Sequence, residues 1–251
     1  MKLLCATLYA LALLGIHSVR GQEFPSMIFV QGGSYVMGNP TSKIESTEYS
    51  NRSAVMVKDF YMGRTEVTVQ QWMVFMKETD MEHPLGLPSW GWNANDPIAG
   101  ISWRDAVEYC EWLSKNTGHH YRLPTEEEWE WAARGGKMSK GYKYSGSNNP
   151  NTVAWYEDNS DNRLHACGSK EPNELGLYDM SGNVAEFCSS YYKEWTGGGN
   201  PPSYHARLVR GGCYDDSPDD LLYFRWLQNP GNRNIEGEKL PYNIGFRVVR
   251  N

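Results

Sequence analysis

The stretch Arg210-Gly211-Gly212-Cys213, answered about thirty residues later by Asn243-Ile244-Gly245-Phe246-Arg247, decides how this chain is read. Each marker adjoins a short run of β-forming residues, 208–210 and 244–249. The interval between them sets acids around the turn former Pro218 beside aromatic side chains such as Tyr214, Tyr223 and Trp226. Further strand candidates are 27–30, 34–37 and 55–61, and the first and last of the five are expected to pair late to early.

Three helices are announced by capping boxes. In each, a Ser or Thr hydroxyl and an acid or amide three residues on satisfy the free N–H groups of the first turn. The boxes are Thr68 with Gln71, Ser102 with Asp105 and Thr125 with Glu128. The first helix continues to about Thr79 with Val69, Trp72, Phe75 and Met76 on one face. The second reaches Asn116, with Cys110 and Leu113 inward, before Thr117-Gly118 stops it. The third carries Trp129, Ala132 and Ala133 and ends at Gly135. Residues 142–202 keep no helical period and are rich in turn formers, so they need internal cross-links to stay ordered, for which metal ions are the natural candidate. The tract 197–202 reads as an exposed loop.

Residues 1–21 read as a secretory signal, with Lys2, an apolar run from Leu3 to Ile16 and the end Val19-Arg20-Gly21. That segment is too short for a confident membrane span, and Cys5 lacks the context of a lipid-attachment box. The expected mature chain, 22–251, forms one loop-rich domain, exported to the periplasm, the cell surface or the medium, with no integral membrane domain beyond the signal. Without Lys2 and Arg20 it carries 22 basic against 30 acidic residues, a balance that disfavours nucleic acid and anionic membranes as partners. Four cysteines remain, Cys110, Cys167, Cys188 and Cys213. Cys110 falls in a helical pattern, and one disulfide is expected among the other three. The histidines are scattered and offer no metal-ligand spacing.

Beyond the two markers, the motifs run in order through Phe29-Val30-Gln31-Gly32-Gly33, Glu66-Val67-Thr68, Ser102-Trp103, Tyr121-Arg122-Leu123-Pro124-Thr125-Glu126-Glu127-Glu128-Trp129-Glu130, Gly176-Leu177-Tyr178-Asp179-Met180 and Gly182-Asn183-Val184. In this order they resemble the formylglycine-generating (sulfatase-modifying factor) family over nearly the whole mature chain. The resemblance implies an α+β domain with the modified C-type-lectin-like fold, low in regular structure and holding calcium. It also implies an active-site pattern R-G-G-S-x-x-C-x-x-x-x-C, whose two cysteines hold copper and use dioxygen to convert a substrate cysteine to formylglycine. Those two positions are Asp216 and Leu221 here. A thiolate is the soft ligand that selects Cu(I), whereas a carboxylate is hard and an isobutyl group is no ligand, so copper is not expected. The family serine is Cys213, a cleft aromatic is Ala185, and a Tyr and an Arg fall on Asp220 and Leu222.

For calcium, which takes six to eight oxygen ligands, the resemblance implies Asp179, Gly182, Val184 and Glu186 at one site. At a second it implies Asn151, Thr152, Asn159 and Asp161, with Asp158 able to replace Asn159. The leading expectation is a noncatalytic exported binding or structural module. Its protein or small-molecule ligand would lie on the face between Gly212 and Asn243, where binding members of the family carry their variable residues; Tyr214, Asp216, Asp219 and Tyr223 are the candidates. The alternative is an enzyme of changed mechanism acting on an exported peptide or small molecule through Cys213 or the acids from Asp215 to Asp220. Authentic formylglycine generation ranks below both.

Overall fold

The computed structural model describes residues 24–38, 54–81, 91–191, 207–223, 226–229 and 242–251. The expected signal segment, the glycine-rich tract, Phe224, His83 and His205 lie outside the described residues. No helix among the described residues is long and apolar enough to cross a membrane.

Among the described residues, three small sheets and a few helices make up the domain. The first sheet runs β1 (Met27–Val30), β4 (Phe60–Gly63), β10 (Val249–Arg250) and β5 (Tyr121–Arg122), all antiparallel. β2 (Gly33–Val36) pairs with β3 (Ala54–Val57) as a separate ribbon. The third sheet is ordered β8 (Trp226–Asn229), β7 (Arg207–Arg210), β6 (Ala185–Tyr191) and β9 (Ile244–Gly245), and its β6–β9 pairing is parallel.

All three capping boxes form. α1 (Val69–Thr79) starts at Thr68, α2 (Trp103–Thr117) at Ser102 and α3 (Glu126–Ala133) at Thr125, each with both reciprocal hydrogen bonds. α2 ends where Gly118 turns left-handed at φ 75°. α3 ends two residues before Gly135, with Arg134 at its C-cap. A one-turn α4 (Pro150–Val153) lies inside the region that showed no helical period.

Two expected strands are corrected. The run 55–61 is two strands, because the ladder breaks at 58–59, where β3 pairs with β2 and β4 with β1, and Asp59 Oδ1 accepts the N–H of Gly32 at 2.8 Å. The run 244–249 is also two strands, β9 and β10, which belong to different sheets; Phe246, Arg247 and Val248 pass between them fully buried. The first and last strands share a sheet but do not pair with each other, since both flank β4.

One core cluster packs α1 and α2 against Phe246 and Val248, with Trp72 stacked on Tyr109 at a centroid separation of 5.7 Å. Another surrounds Trp129 and includes Met62, Cys188, Leu208 and Tyr223. The long irregular region is held by side-chain amides and hydroxyls. Asn173 donates to Ala132 O and Ser145 Oγ and accepts from the N–H groups of Leu175 and Leu177; Ser181 donates to Leu221 O. Such local side-chain bonds replace the regular ladders that the turn-rich sequence cannot form.

The expected disulfide is absent: Cys110, Cys167, Cys188 and Cys213 are all free. Cys188 belongs to the Trp129 cluster and Cys213 to the cluster of α1 and α2, while Cys167 is held against Glu66, so their sulfurs face different surroundings.

Candidate functional site

The cleft begins where β7 ends. Gly211 and Gly212 sit at φ 97° and 68°, a left-handed pair that reverses the chain directly after Arg210. A Cβ on Gly212 would lie 2.9 Å from Leu221 Cδ2 and 3.0 Å from Asp220 O, so the turn is packed against the very segment that carries the second lost cysteine position. Arg210 anchors the turn from below, with its guanidinium paired to Glu126 and Glu130 and donating to Tyr223 O.

Cys213 is buried, and its thiol donates to Asp216 Oδ2 at 2.9 Å and lies 3.0 Å from Asp215 Oδ1. The Cys213 N–H also donates to Asp216 Oδ2. One ligand atom from each of Cys213, Asp215 and Asp216 falls within 4.8 Å of the others. Burial pushes the thiol far above its ordinary range, and the carboxylates of Asp216 and Asp215 push it further. Asp216 is raised by burial too. The Cys213 sulfur is therefore enclosed with two acids, surroundings that disfavour the thiolate on which nucleophilic chemistry depends.

Leu221 is fully buried against Tyr144, Val153, Ala154, Tyr156 and Leu222. Apolar packing thus occupies the second cysteine position. Ala185, in place of the cleft aromatic, is buried in the first core cluster. Two residues expected on a recognition surface are corrected. Tyr214 packs among Ala99, Leu164 and Val184, and Tyr223 lies in the Trp129 cluster with the Arg134 guanidinium 4.8 Å from its ring centre. The interval leaves Asp215 and Asp219 exposed and Asp216 partly so, with Asp219 3.6 Å from Lys143 Nζ.

A second centre lies deeper and gathers three acids and one guanidinium. Glu186, on β6, is held by Arg247 through both oxygens at 2.6 Å and by Trp129 Nε1 at 2.7 Å. Arg247 also donates to Gly63 O and Tyr178 O, tying β4 and the Asp179 turn to the ion pair. Asp179 sits at φ 54°, and its Oδ2 accepts the Gly168 N–H at 2.6 Å. Glu66 Oε1 accepts from Asn183 Nδ2 at 3.0 Å. The other oxygens, Asp179 Oδ1 and Glu66 Oε2, are buried without a hydrogen-bond partner.

Burial raises both acids; Asp179 is pushed up to about 6, and repulsion from Asp179 is the next cause acting on Glu66. Gly182, at φ 80°, has Trp155 O only 2.2 Å from where a Cβ would stand, so only glycine brings its carbonyl into this turn.

These residues fit a hard divalent cation. Two orphaned carboxylate oxygens lie in a pocket where one guanidinium faces three acids, and among the described residues no hydrogen bond uses the carbonyls of Gly182 or Val184. The exception is Glu186, whose oxygens are already engaged. Glu66 was missed as a site residue: its motif is legible, but nothing in the sequence marks that acid as buried.

The second expected set gathers without an open cage. Asn151 Oδ1 accepts from Tyr156 Oη and Asn159 Nδ2, the Thr152 carbonyl accepts from Glu171 N–H, and Asn159 Oδ1 accepts from Tyr156 N–H. Asp161 is exposed at φ 54°, and Asp158 is exposed as well. The Lys170 ammonium donates to Asn151 O, 3.9 Å from the centre of the Trp155 ring.

A family model described as the Sulfatase-modifying factor enzyme 1-like domain matches residues 16–251, and the chain belongs to this family. It has the α+β, C-type-lectin-like architecture of the formylglycine-generating type, as its structural neighbours do. PvdO from Pseudomonas aeruginosa superposes with a TM-score of 0.73 at 26% identity, over 91% of this chain and 95% of that one. The chain is 31% identical over 274 residues to the Chaperone protein LppX of Paenibacillus barcinonensis, across 89% of each. It is 33% identical over 163 residues to the Inactive C-alpha-formylglycine-generating enzyme 2 of Mus musculus, across 61% of this chain and 48% of that protein.

Proposed function

We propose that this chain is an exported, noncatalytic binding or structural module on the formylglycine-generating scaffold, ordered by bound calcium. The observation that carries the reading is Leu221, fully buried among tyrosines and aliphatic groups where the family's second copper ligand would stand. With Asp216 at the first position, the cleft has no pair of sulfur donors for Cu(I). A relative spanning 89% of both lengths carries the name chaperone, and another is an inactive formylglycine-generating enzyme; both support binding over catalysis. The exposed acids Asp215 and Asp219, with Asp216, are the polar part of the proposed contact face for a protein or small molecule.

The changed-mechanism enzyme is the weaker reading, because its nucleophile would be a protonated, buried Cys213 bonded to two acids. Incubating copper-loaded protein with a Cys-x-Pro-x-Arg peptide under oxygen tests the proposal: no loss of thiol mass is expected. Conversion of the peptide at a rate above the protein-free control would refute it.

A further inference from the structure

We propose that the free edge of β3 is a docking groove for an extended peptide segment that carries basic side chains. A groove of about 510 Å³, a volume in the range of ligand sites, lies between β3 and the start of α3. β3 lines it with Val55, Met56 and Val57, and the first turn of α3 lines it with Glu127 and Glu128. The β2–β3 ribbon is pinned over the helix, because Tyr35 Oη donates to Glu127 O at 2.9 Å and the Tyr35 ring packs on Trp131 at a centroid separation of 5.3 Å. The two walls are thereby fixed to each other.

Hydrogen bonding and charge select the occupant. β2 is the single ladder neighbour of β3, so alternate N–H and C=O groups of 54–57 point away from it, and among the described residues no other backbone group pairs with them. An extended backbone matches that row of donors and acceptors. Edge strands are ordinarily protected by a charge or a proline, yet Ala54-Val55-Met56-Val57 has neither, and Met56 is 81% exposed. Of the charges in the groove, Arg122 is neutralised by Glu128 through both oxygens, at 2.6 and 2.7 Å. Lys58 and Asp59, both exposed, offset one another. Glu127 remains, partly buried, and its carboxylate meets no cation among the described residues. The groove thus keeps one negative charge in a chain whose net charge is −6, a balance that attracts a basic segment and repels a second copy.

The test pans the intact chain against a random peptide library and synthesises the retained peptides with blocked ends. Retained sequences should alternate apolar residues with lysine or arginine, because a strand turns every second side chain to the same face. N-methylation of alternate backbone nitrogens in such a peptide should weaken binding at least about tenfold, since it removes ladder donors. Glu127→Lys should weaken binding by about tenfold as well, through like-charge repulsion, while its Tm stays close to that of the wild type. The surface control Glu108→Gln, whose acid pairs with Arg104 on α2, should bind as the wild type does. Hydrogen exchange at the amides of 54–58 should slow when peptide is added. No peptide retained above an unrelated acidic protein would overturn the proposal, as would binding indifferent to N-methylation or to Glu127→Lys, or exchange at 54–58 unchanged by peptide. Slowed exchange there at high protein concentration without peptide, with a dimer in sedimentation, would overturn it too, because a second copy would then hold the edge. Each of these results leaves the copper and calcium expectations as they stand, because the groove contains no residue of either site.

Discussion

Replacing Arg247 with methionine is expected to cost about 3–5 kcal/mol of stability, enough to unfold a large fraction of a domain whose total is only about 5–15 kcal/mol. The guanidinium is fully buried and is the cation that faces Glu186 at 2.6 Å. Removing it leaves the buried Glu186 without its cation partner, beside Asp179 and Glu66, and frees the carbonyls of Gly63 and Tyr178 as well. Urea denaturation checks the size of the loss. Removing both charges together, as Arg247→Met with Glu186→Leu, should recover a good part of it, since an apolar pair of similar volume has no charge to strand. Recovery will be incomplete because Trp129 Nε1 loses its acceptor. A midpoint within about 0.5 kcal/mol of wild type for the single variant would mean that the ion pair is not buried as described.

Trp129→Ala is expected to cost a similar amount, about 3–5 kcal/mol, through a different route. The indole is fully buried at the centre of the second core cluster, with its ring edge against Gly211 at the turn that opens the cleft. Truncation opens a cavity beneath that turn and removes the N–H donor from Glu186. Trp129→Phe separates the two effects: it keeps much of the packing and should lose about 1.5–3 kcal/mol, the range for a hydrogen bond to a charged group. Since Arg247 and Trp129 share Glu186, losses in the double variant should not add. Additive losses by calorimetry would show that the two side chains act independently.

The elements that local chemistry specifies were legible in the sequence. Thr68, Ser102 and Thr125 each place a hydroxyl three residues before an acid or amide, and all three helices start there because that bonding is local. The strands were less legible where tertiary pairing decides. Nothing in 55–61 announces that Asp59 accepts the Gly32 N–H where the ladder breaks, and nothing in 244–249 tells which sheet claims each end. β6 escaped notice because it is buried on both faces over much of its length, so no polar alternation marks it.

At the site, the motif order identified the family, and the absence of the thiol pair was readable directly from Asp216 and Leu221. The fate of individual side chains was not. Tyr214 stands beside Asp215 and Asp216, and Tyr223 follows the acidic turn around Pro218, an interval that suits a surface, yet the left-handed turn at Gly211 and Gly212 folds both tyrosines back into the core. The free state of the four cysteines is likewise a matter of three-dimensional separation, which spacing along the chain does not carry. Glu66 illustrates the same limit for charge: a glutamate two residues before a helix cap ordinarily faces water, and here the Asn183 amide and the Asp179 turn enclose it.

Whether the cleft has truly exchanged oxygen chemistry for binding is measured most directly by titrating the reduced protein with cuprous ion against a competing chelator while recording oxygen uptake. A scaffold with Asp216 and Leu221 at the two ligand positions, and with the Cys213 proton held between acids, should take up no tight equivalent of cuprous ion. One equivalent bound in the cleft, with oxygen consumed when a thiol-bearing peptide is added, would contradict it.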